Sequence, residues 1–237
     1  MPGPHDHGAI PADPVRFTEA INALRDKVPM TRALFDTLTE AEREFAFSVA
    51  NVTQADLVTE VLEAMEIAVR DGITFEEFQA GPTAERLSEA WGGENPPRLE
   101  TIFRTSVVGA YNEGRYRQMT APTVKRLRNF WRYDAIEDSR LRDCPICSPC
   151  AGVILPSDHA WWQKHYPILH PSCRCVATPL TQEEAEAEGI TRSPPSSTPA
   201  TGFGQAPSVR GSDWSPSPDD YPDSISAVLG DRLNETG

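Results

Sequence analysis

Apolar positions set the frame of this chain. Val15, Phe17, Ile21, Leu24 and Val28 recur at three- to four-residue steps, the period of one helix face. The stretch "TEAE" from Thr39 has the form of a capping box ahead of Phe45, Phe47 and Val49, and it predicts a second helix there. A third helix is expected over about residues 54–70. Leu57, Val61, Leu62, Met65 and Ala68 mark its buried face, and Gly72 stands where a left-handed C-terminal cap belongs. "TFEEF" from Thr74 reads as another capped turn, and residues 82–92 as a short helix. "ENPP" then breaks the chain before a longer helix over about residues 98–119, with an inward stripe of Leu99, Phe103, Val107, Ala110 and Tyr111.

Beyond Ala121 the period changes. Trp131, Tyr133 and Ala135 alternate with polar neighbours, which suits a short strand. From Thr191 onward Pro, Ser and Gly dominate, and the segment is too poor in aliphatic residues to offset the entropy of ordering. It is expected to be disordered, with a candidate docking stretch at "SISAVLGDRL". The expected organisation is a flexible arm over 1–14, a helical region over 15–95, a small Cys/His-rich domain over 96–190, and a disordered, acidic Pro/Ser-rich tail over 191–237. The fold class is α+β.

The 237 residues and a 39% hydrophobic fraction suffice for a folded core. A formal charge of -13 argues against a general nucleic-acid coat, because phosphate binding needs clustered Lys and Arg. No apolar run approaches the roughly 20 residues that span a bilayer, and the start lacks the pattern of a secretory signal. A soluble protein made in a cytoplasm, with no membrane partner, is expected.

All five cysteines fall in two short stretches, "RDCPICSPC" and "HPSCRC". An odd count fits a closed disulfide framework poorly and fits thiolates sharing a metal better. Cys144 and Cys147 have the C-x2-C spacing that turns two sulfurs toward one point. Cys173 and Cys175 are two apart, so an extended backbone puts both on one face, and His170 adds an imidazole. With Cys150, six donors compete for the four places of a structural zinc; Cys150 is read as filling a small apolar space. A reduced, metal-free thiol cluster or a pair of disulfides is the alternative. Asp158, His159 and His165 in the intervening loop invite a catalytic reading. The plainer one is a surface loop in which Trp161 and Trp162 cover the site and the histidines are solvated.

"RLETIFRTSVVGAYNEGRYRQM", "DSRLRDCPICSPCAG" and "HPSCRC" together resemble the phage Mu protein F-like family, the minor head or head-morphogenesis proteins of tailed phages. The likeness spans about residues 39–179, and residues 96–190 correspond to the family's domain. Its Arg-Thr pair falls on Arg104 and Thr105, and its aromatic stretch on Tyr111, Asn112, Gly114, Arg115 and Tyr116. Its cysteine pair falls on Cys144 and Cys147, its following glycine on Gly152, and its closing motif on His170, Pro171, Cys173, Arg174 and Cys175. Two departures are Cys150, where members carry an aliphatic residue, and the longer spacing from Asp138 to the first cysteine. The resemblance implies no catalytic residue. It implies a few copies in the virion, at the capsid interior or portal vertex, contact with the portal and other head proteins, and a part in head assembly and in DNA packaging or ejection.

Lys125, Arg126, Arg128, Arg132, Arg140 and Arg142 gather in an otherwise acidic chain, with Trp131 and Tyr133 interleaved. Segment 125–142 therefore suits contact with DNA or an acidic partner, or else a face neutralised by Asp134, Glu137, Asp138 and Asp143. The alternative function is a zinc-stabilised nuclease of the His-Asn-His type, in which Asp158 and His159 would bind the catalytic metal and act as base. The C-x-C form of the second cluster counts against it.

Overall fold

A computed structural model describes residues 17–43, 45–136 and 144–207. The expected arm at 1–14 lies outside them, as do Asp138, Arg140, Arg142 and the segment after residue 207. Helix α1 (Thr18–Arg25) buries Ala20, Ile21, Ala23 and Leu24, the stripe its periodicity marks. It leads into β1 (Val28–Pro29), then the single turns α2 (Arg32–Phe35) and α3 (Glu40–Arg43), and β2 (Ala46–Phe47). The Thr39 capping box forms: Thr39 N–H donates to Glu42 Oε2 at 2.7 Å and Glu42 N–H to Thr39 Oγ1 at 3.4 Å.

The helix expected after that box lasts one turn. The chain then straightens so that Val28 N–H reaches Phe45 O at 2.6 Å and Met30 N–H reaches Phe47 O at 2.9 Å, in a parallel pairing of β1 with β2. Burial of Val28, Met30 and Ala46 in one small cluster requires this extended path, and tertiary packing overrides the local signal.

Helix α4 (Ala55–Asp71) is the spine of the first core. It ends on Gly72 at φ 73°, where only glycine lacks a steric penalty. Helix α6 (Pro82–Trp91) packs beside it, and α5 (Phe75–Gln79), with its Thr74/Glu77 capping box, packs on α6 and on the helix that follows. Helix α7 (Pro96–Thr120) is the longest element, capped where Asn95 Oδ1 accepts from Arg98 N–H at 3.2 Å. Leu57, Val61, Leu62 and Met65 of α4, Leu87 of α6 and Leu99 and Phe103 of α7 are buried together with Ile21 and Leu24. Tyr111, expected in the inward stripe, is 37% exposed and stacks on Phe17, with ring centroids 5.8 Å apart. α7 departs from a one-faced pattern because it serves two cores.

The second core lies beyond α8 (Pro122–Leu127). Strand β3 (Phe130–Asp134) pairs antiparallel with both β4 (Ile154–Pro156) and β5 (Val176–Leu180), giving the order β4-β3-β5. Helices α9 (Trp162–His165) and α10 (Gln182–Glu188) complete it. Its interior is aromatic and sulfurous: Trp131, Tyr133, Trp162, Tyr166, Cys147, Cys150, Cys173 and Cys175 are buried. Trp131 sits edge-on to Tyr116, Trp162 and Tyr166, with centroids 5.5 to 5.9 Å apart.

Both margins of this sheet are occupied. On β4, Thr191 takes the N–H of Ile154 with its hydroxyl at 3.0 Å and donates its own N–H to Ile154 O at 2.9 Å. Along β5 and the residue before it, the carbonyls of alternate residues are taken by side chains: Cys175 O by Asn112 at 3.0 Å, Ala177 O by Arg115 at 3.3 Å, and Pro179 O by Arg128 at 3.0 Å.

The tail expected to be disordered from Thr191 is held along the domain as far as residue 207. Trp161 Nε1 donates to Pro195 O at 2.8 Å, Ala200 N–H to Leu169 O at 2.9 Å, and Tyr166 N–H to Gly204 O at 2.9 Å. These groups replace the aliphatic contacts the segment lacks. Among the described residues no helix is long and apolar enough to cross a membrane.

Candidate metal-binding site on the long helix

The second half of α7 forms the bed of the site. Thr105 Oγ1 accepts from Ser172 N–H at 2.9 Å, Asn112 Nδ2 reaches Cys175 O, and Arg115 reaches Ala177 O, so residues 172–177 run along the helix and are pinned three times. Asn112 is 2% exposed, and its main-chain carbonyl accepts from Tyr166 OH at 2.9 Å. Helix and hook are thus one hydrogen-bonded unit, and a buried amide bonded this way is costly to replace.

Behind this bed α7 lies directly against α1. A Cβ built on Gly114 would stand 2.5 Å from Ala20 N, so only glycine permits the approach. Arg117 reinforces it through ion pairs with Asp26 at 3.0 Å and Glu113 at 2.7 Å. Gly114 and Arg115, one step apart on the helix, therefore face different neighbours, α1 and β5.

The first cysteine stretch folds into a tight turn. Ser148 N–H donates to Cys144 O at 3.1 Å, and Cys147 N–H points at Cys144 Sγ from 3.3 Å. The second stretch turns at His170, whose carbonyl accepts from Cys173 N–H at 3.2 Å. The two turns meet. Cys147 and Cys173 sulfurs are 3.6 Å apart, and Cys144 Sγ lies 3.3 Å from His170 Nε2.

Donor atoms within 4.8 Å of one another form two groups that share Cys147: Cys144, Cys147 and His170 at a half-buried rim, and Cys147, Cys173 and Cys175 on a buried floor. Cys150 belongs to neither; its thiol faces Ile146 O at 3.5 Å and Ser197 Oγ at 3.2 Å, and burial pushes its pKa up. Thiolate and imidazole at this spacing suit a soft, tetrahedral ion such as zinc.

The surroundings favour negative charge on one floor sulfur, Cys173, and the neutral thiol on its neighbours Cys147 and Cys175. Hydrogen bonds from the Cys147 and Cys175 thiols hold Cys173 far down, at about 2, making it the sulfur most readily present as thiolate. Tyr133 is fully buried, which pushes its hydroxyl well above the ordinary phenol range, and it donates to Cys147 Sγ at 3.4 Å. This donor was not anticipated from sequence, although Tyr133 shares a strand face with Trp131 and so had to point inward.

The other candidate residues lie elsewhere. Arg104 pairs with Glu100 on its own helix at 2.6 Å. Arg174 is half-buried between the two hook cysteines. His159 is exposed, and its Nδ1 accepts from Trp161 N–H at 3.1 Å. His165, expected to be solvated, is buried: its ring stacks on Trp161 at 4.4 Å, and its nitrogens face Trp161 O at 3.0 Å and Ser197 O at 2.9 Å. Neither histidine nor Asp158 joins a metal-binding group among the described residues. In the basic segment, Arg128 pairs with Glu184 at 2.8 Å and Arg132 with Asp134 and Glu188, both at 2.5 Å, so the neutralising acids come mainly from α10. Lys125 and Arg126 remain exposed on α8.

Comparison with known proteins covers the same elements. The family described as phage Mu protein F like protein matches residues 59–178, from α4 through β5. The chain is 31% identical over 173 residues to the putative capsid assembly protein F of Escherichia phage Mu, covering 66% of this chain and 38% of that protein. It is 29% identical over 165 residues to the Mu-like prophage FluMu F protein of Haemophilus influenzae, covering 64% of this chain and 38% of that protein. The match thus spans well under half the length of these relatives. No solved structure matches. With half of its residues matched, including the α7 bed and both cysteine turns, the chain belongs to the phage Mu protein F like family.

Proposed function

We propose that this protein is a non-enzymatic minor capsid protein of a tailed phage or prophage, acting in head assembly. In this reading it docks on the portal and other head proteins, resides at the capsid interior or portal vertex, and takes part in DNA packaging or ejection. The observation that carries the proposal is the 31% identity over 173 residues to a protein named for capsid assembly, together with the family match over residues 59–178, which includes α7 and the hook pinned to it. The architecture is consistent with a docking module: a rigid bed, a small domain fixed upon it, and side chains in place of strand edges as contact surface. Leu127 is 63% exposed beside Lys125 and Arg126, an apolar knob flanked by two cations that suits an acidic partner, protein or DNA. The nuclease alternative gains no support from the positions of Asp158 and His159.

Deletion of the gene from an inducible prophage tests the reading. Loss of filled heads, with the wild-type chain detected by mass spectrometry in purified virions or in portal-containing assembly intermediates, is the expected result. Normal heads together with absence of the chain from every assembly fraction would overturn it.

A further inference from the structure

We propose that Cys147, Cys173 and Cys175 together bind one zinc ion, that the rim pair of Cys144 and His170 supplies the fourth ligand, and that Tyr133 is a positioning residue for the sulfur of Cys147. The three floor sulfurs lie within 4.8 Å of one another, with Cys147 and Cys173 at 3.6 Å. Zinc–sulfur bonds of about 2.3 Å in a tetrahedron put ligand sulfurs about 3.8 Å apart, so three corners are in place. The fourth must neighbour Cys147, as both rim donors do. Thiolate sulfur and imidazole nitrogen complete such a tetrahedron equally well.

The fold gathers these sulfurs against some resistance. All three are buried, they come from two separate turns, and a thiol is a weak hydrogen-bonding group that gains little from such company. The hook passes through Ser172 in the left-handed region, φ 57°, a conformation that disfavours residues with a side chain, and Thr105 holds it by accepting the Ser172 N–H at 2.9 Å. An ion bonded to all three sulfurs offsets these costs, because its binding free energy becomes folding free energy. Tyr133 stands behind Cys147, wholly buried, with its hydroxyl 3.4 Å from Sγ. Cys147 belongs to both donor groups, so this phenol orients the corner that floor and rim share. Each ligating thiol gives its proton to solvent as its bond to the ion forms, and four protein ligands leave no open position, which makes the site structural.

The experiment uses the full chain purified from zinc-supplemented culture. Metal analysis is expected to give one zinc per chain, and X-ray absorption at the zinc edge a four-ligand shell with at least three sulfurs, the fourth ligand being sulfur or nitrogen. Protein that takes up no zinc, or a shell with fewer than three sulfurs, overturns the site, and this wild-type measurement decides even where a variant fails to fold. Tyr133→Phe keeps the buried ring and removes the hydroxyl. It should bind zinc about 10- to 100-fold more weakly, the usual effect of removing an outer partner. In cobalt-exchanged protein the same variant should move the thiolate charge-transfer band to longer wavelength, since a sulfur relieved of a hydrogen bond gives up electron density more easily. Wild-type affinity together with an unmoved band would overturn the part given to Tyr133. Cys150→Ser, outside both donor groups, should keep the wild-type shell of at least three sulfurs; loss of one sulfur from that shell would overturn the ligand set.

Discussion

The two halves of this molecule share one helix and are held by different forces. The N-terminal half is aliphatic: Leu57, Val61, Leu62 and Met65 present one stripe to Ile21, Leu24 and Phe103, and helical periodicity alone explains it. The C-terminal half has a three-stranded sheet of three- to five-residue strands. It is filled by edge-on aromatic rings and thiols, and its chain is fixed by side-chain bonds to distant carbonyls. The difference shows that a segment too short of aliphatic residues for an ordinary core can borrow a rigid surface. Here α7 supplies it, having been made rigid by the first core.

Substitutions in the two cores test the contrast most strongly. Trp131→Ala should cost about 3 to 5 kcal/mol and Leu62→Ala about 2 to 5 kcal/mol. In chemical denaturation followed by tryptophan fluorescence and far-ultraviolet circular dichroism, Trp131→Ala should unfold the small domain first and leave most helical signal. Leu62→Ala should lower both signals together, because the bed itself melts. Coincident transitions in both variants would remove the distinction.

The next test is at the junction. Gly114→Ala forces a methyl group against the α1 backbone, and overpacking of this kind costs about 1 to 3 kcal/mol. Both halves should lose stability, read as a lower midpoint in both probes. Asn112→Ala, by contrast, leaves Cys175 O without its partner at a cost of about 1 to 3 kcal/mol, confined to the small domain. Faster hydrogen exchange in residues 170–180 than in α4 is the expected readout.

The smallest effects come from the helix caps, one in each half. Thr74→Ala and Thr181→Ala should each cost about 1 kcal/mol. Backbone and hydroxyl bonds from these threonines hold Glu77 and Glu184 below the ordinary glutamate range. A lowered carboxylate pKa stabilises the fold above the unfolded value, and this contribution disappears as pH falls through the lowered one. Alanine keeps the backbone bond, the larger cause, and loses the hydroxyl bond, so acid titration of stability should flatten only in part in the half that carries each substitution.

Much of the first half was legible in the sequence, because spacing of apolar residues and the Gly72 cap are local facts. The helix expected after Thr39 was not, since the pairing of Phe45 and Phe47 with residues near Val28 depends on contacts outside any local window. In the second half the cysteine spacing located the candidate donors. It could not reveal that Tyr133 would point at Cys147, or that Ser197 would close over His165 and Cys150, because those contacts join residues far apart in the chain. The strap of residues 191–207 misled composition for the same reason: its hydrogen-bonding partners lie on Leu169, Tyr166 and Trp161.

Thr191 on one side of the ribbon engages Ile154 of β4, and Asn112, Arg115 and Arg128 on the other take alternate carbonyls along β5, so each margin is interrupted as a template for a further strand. Addition of a further strand at either margin is thereby hindered.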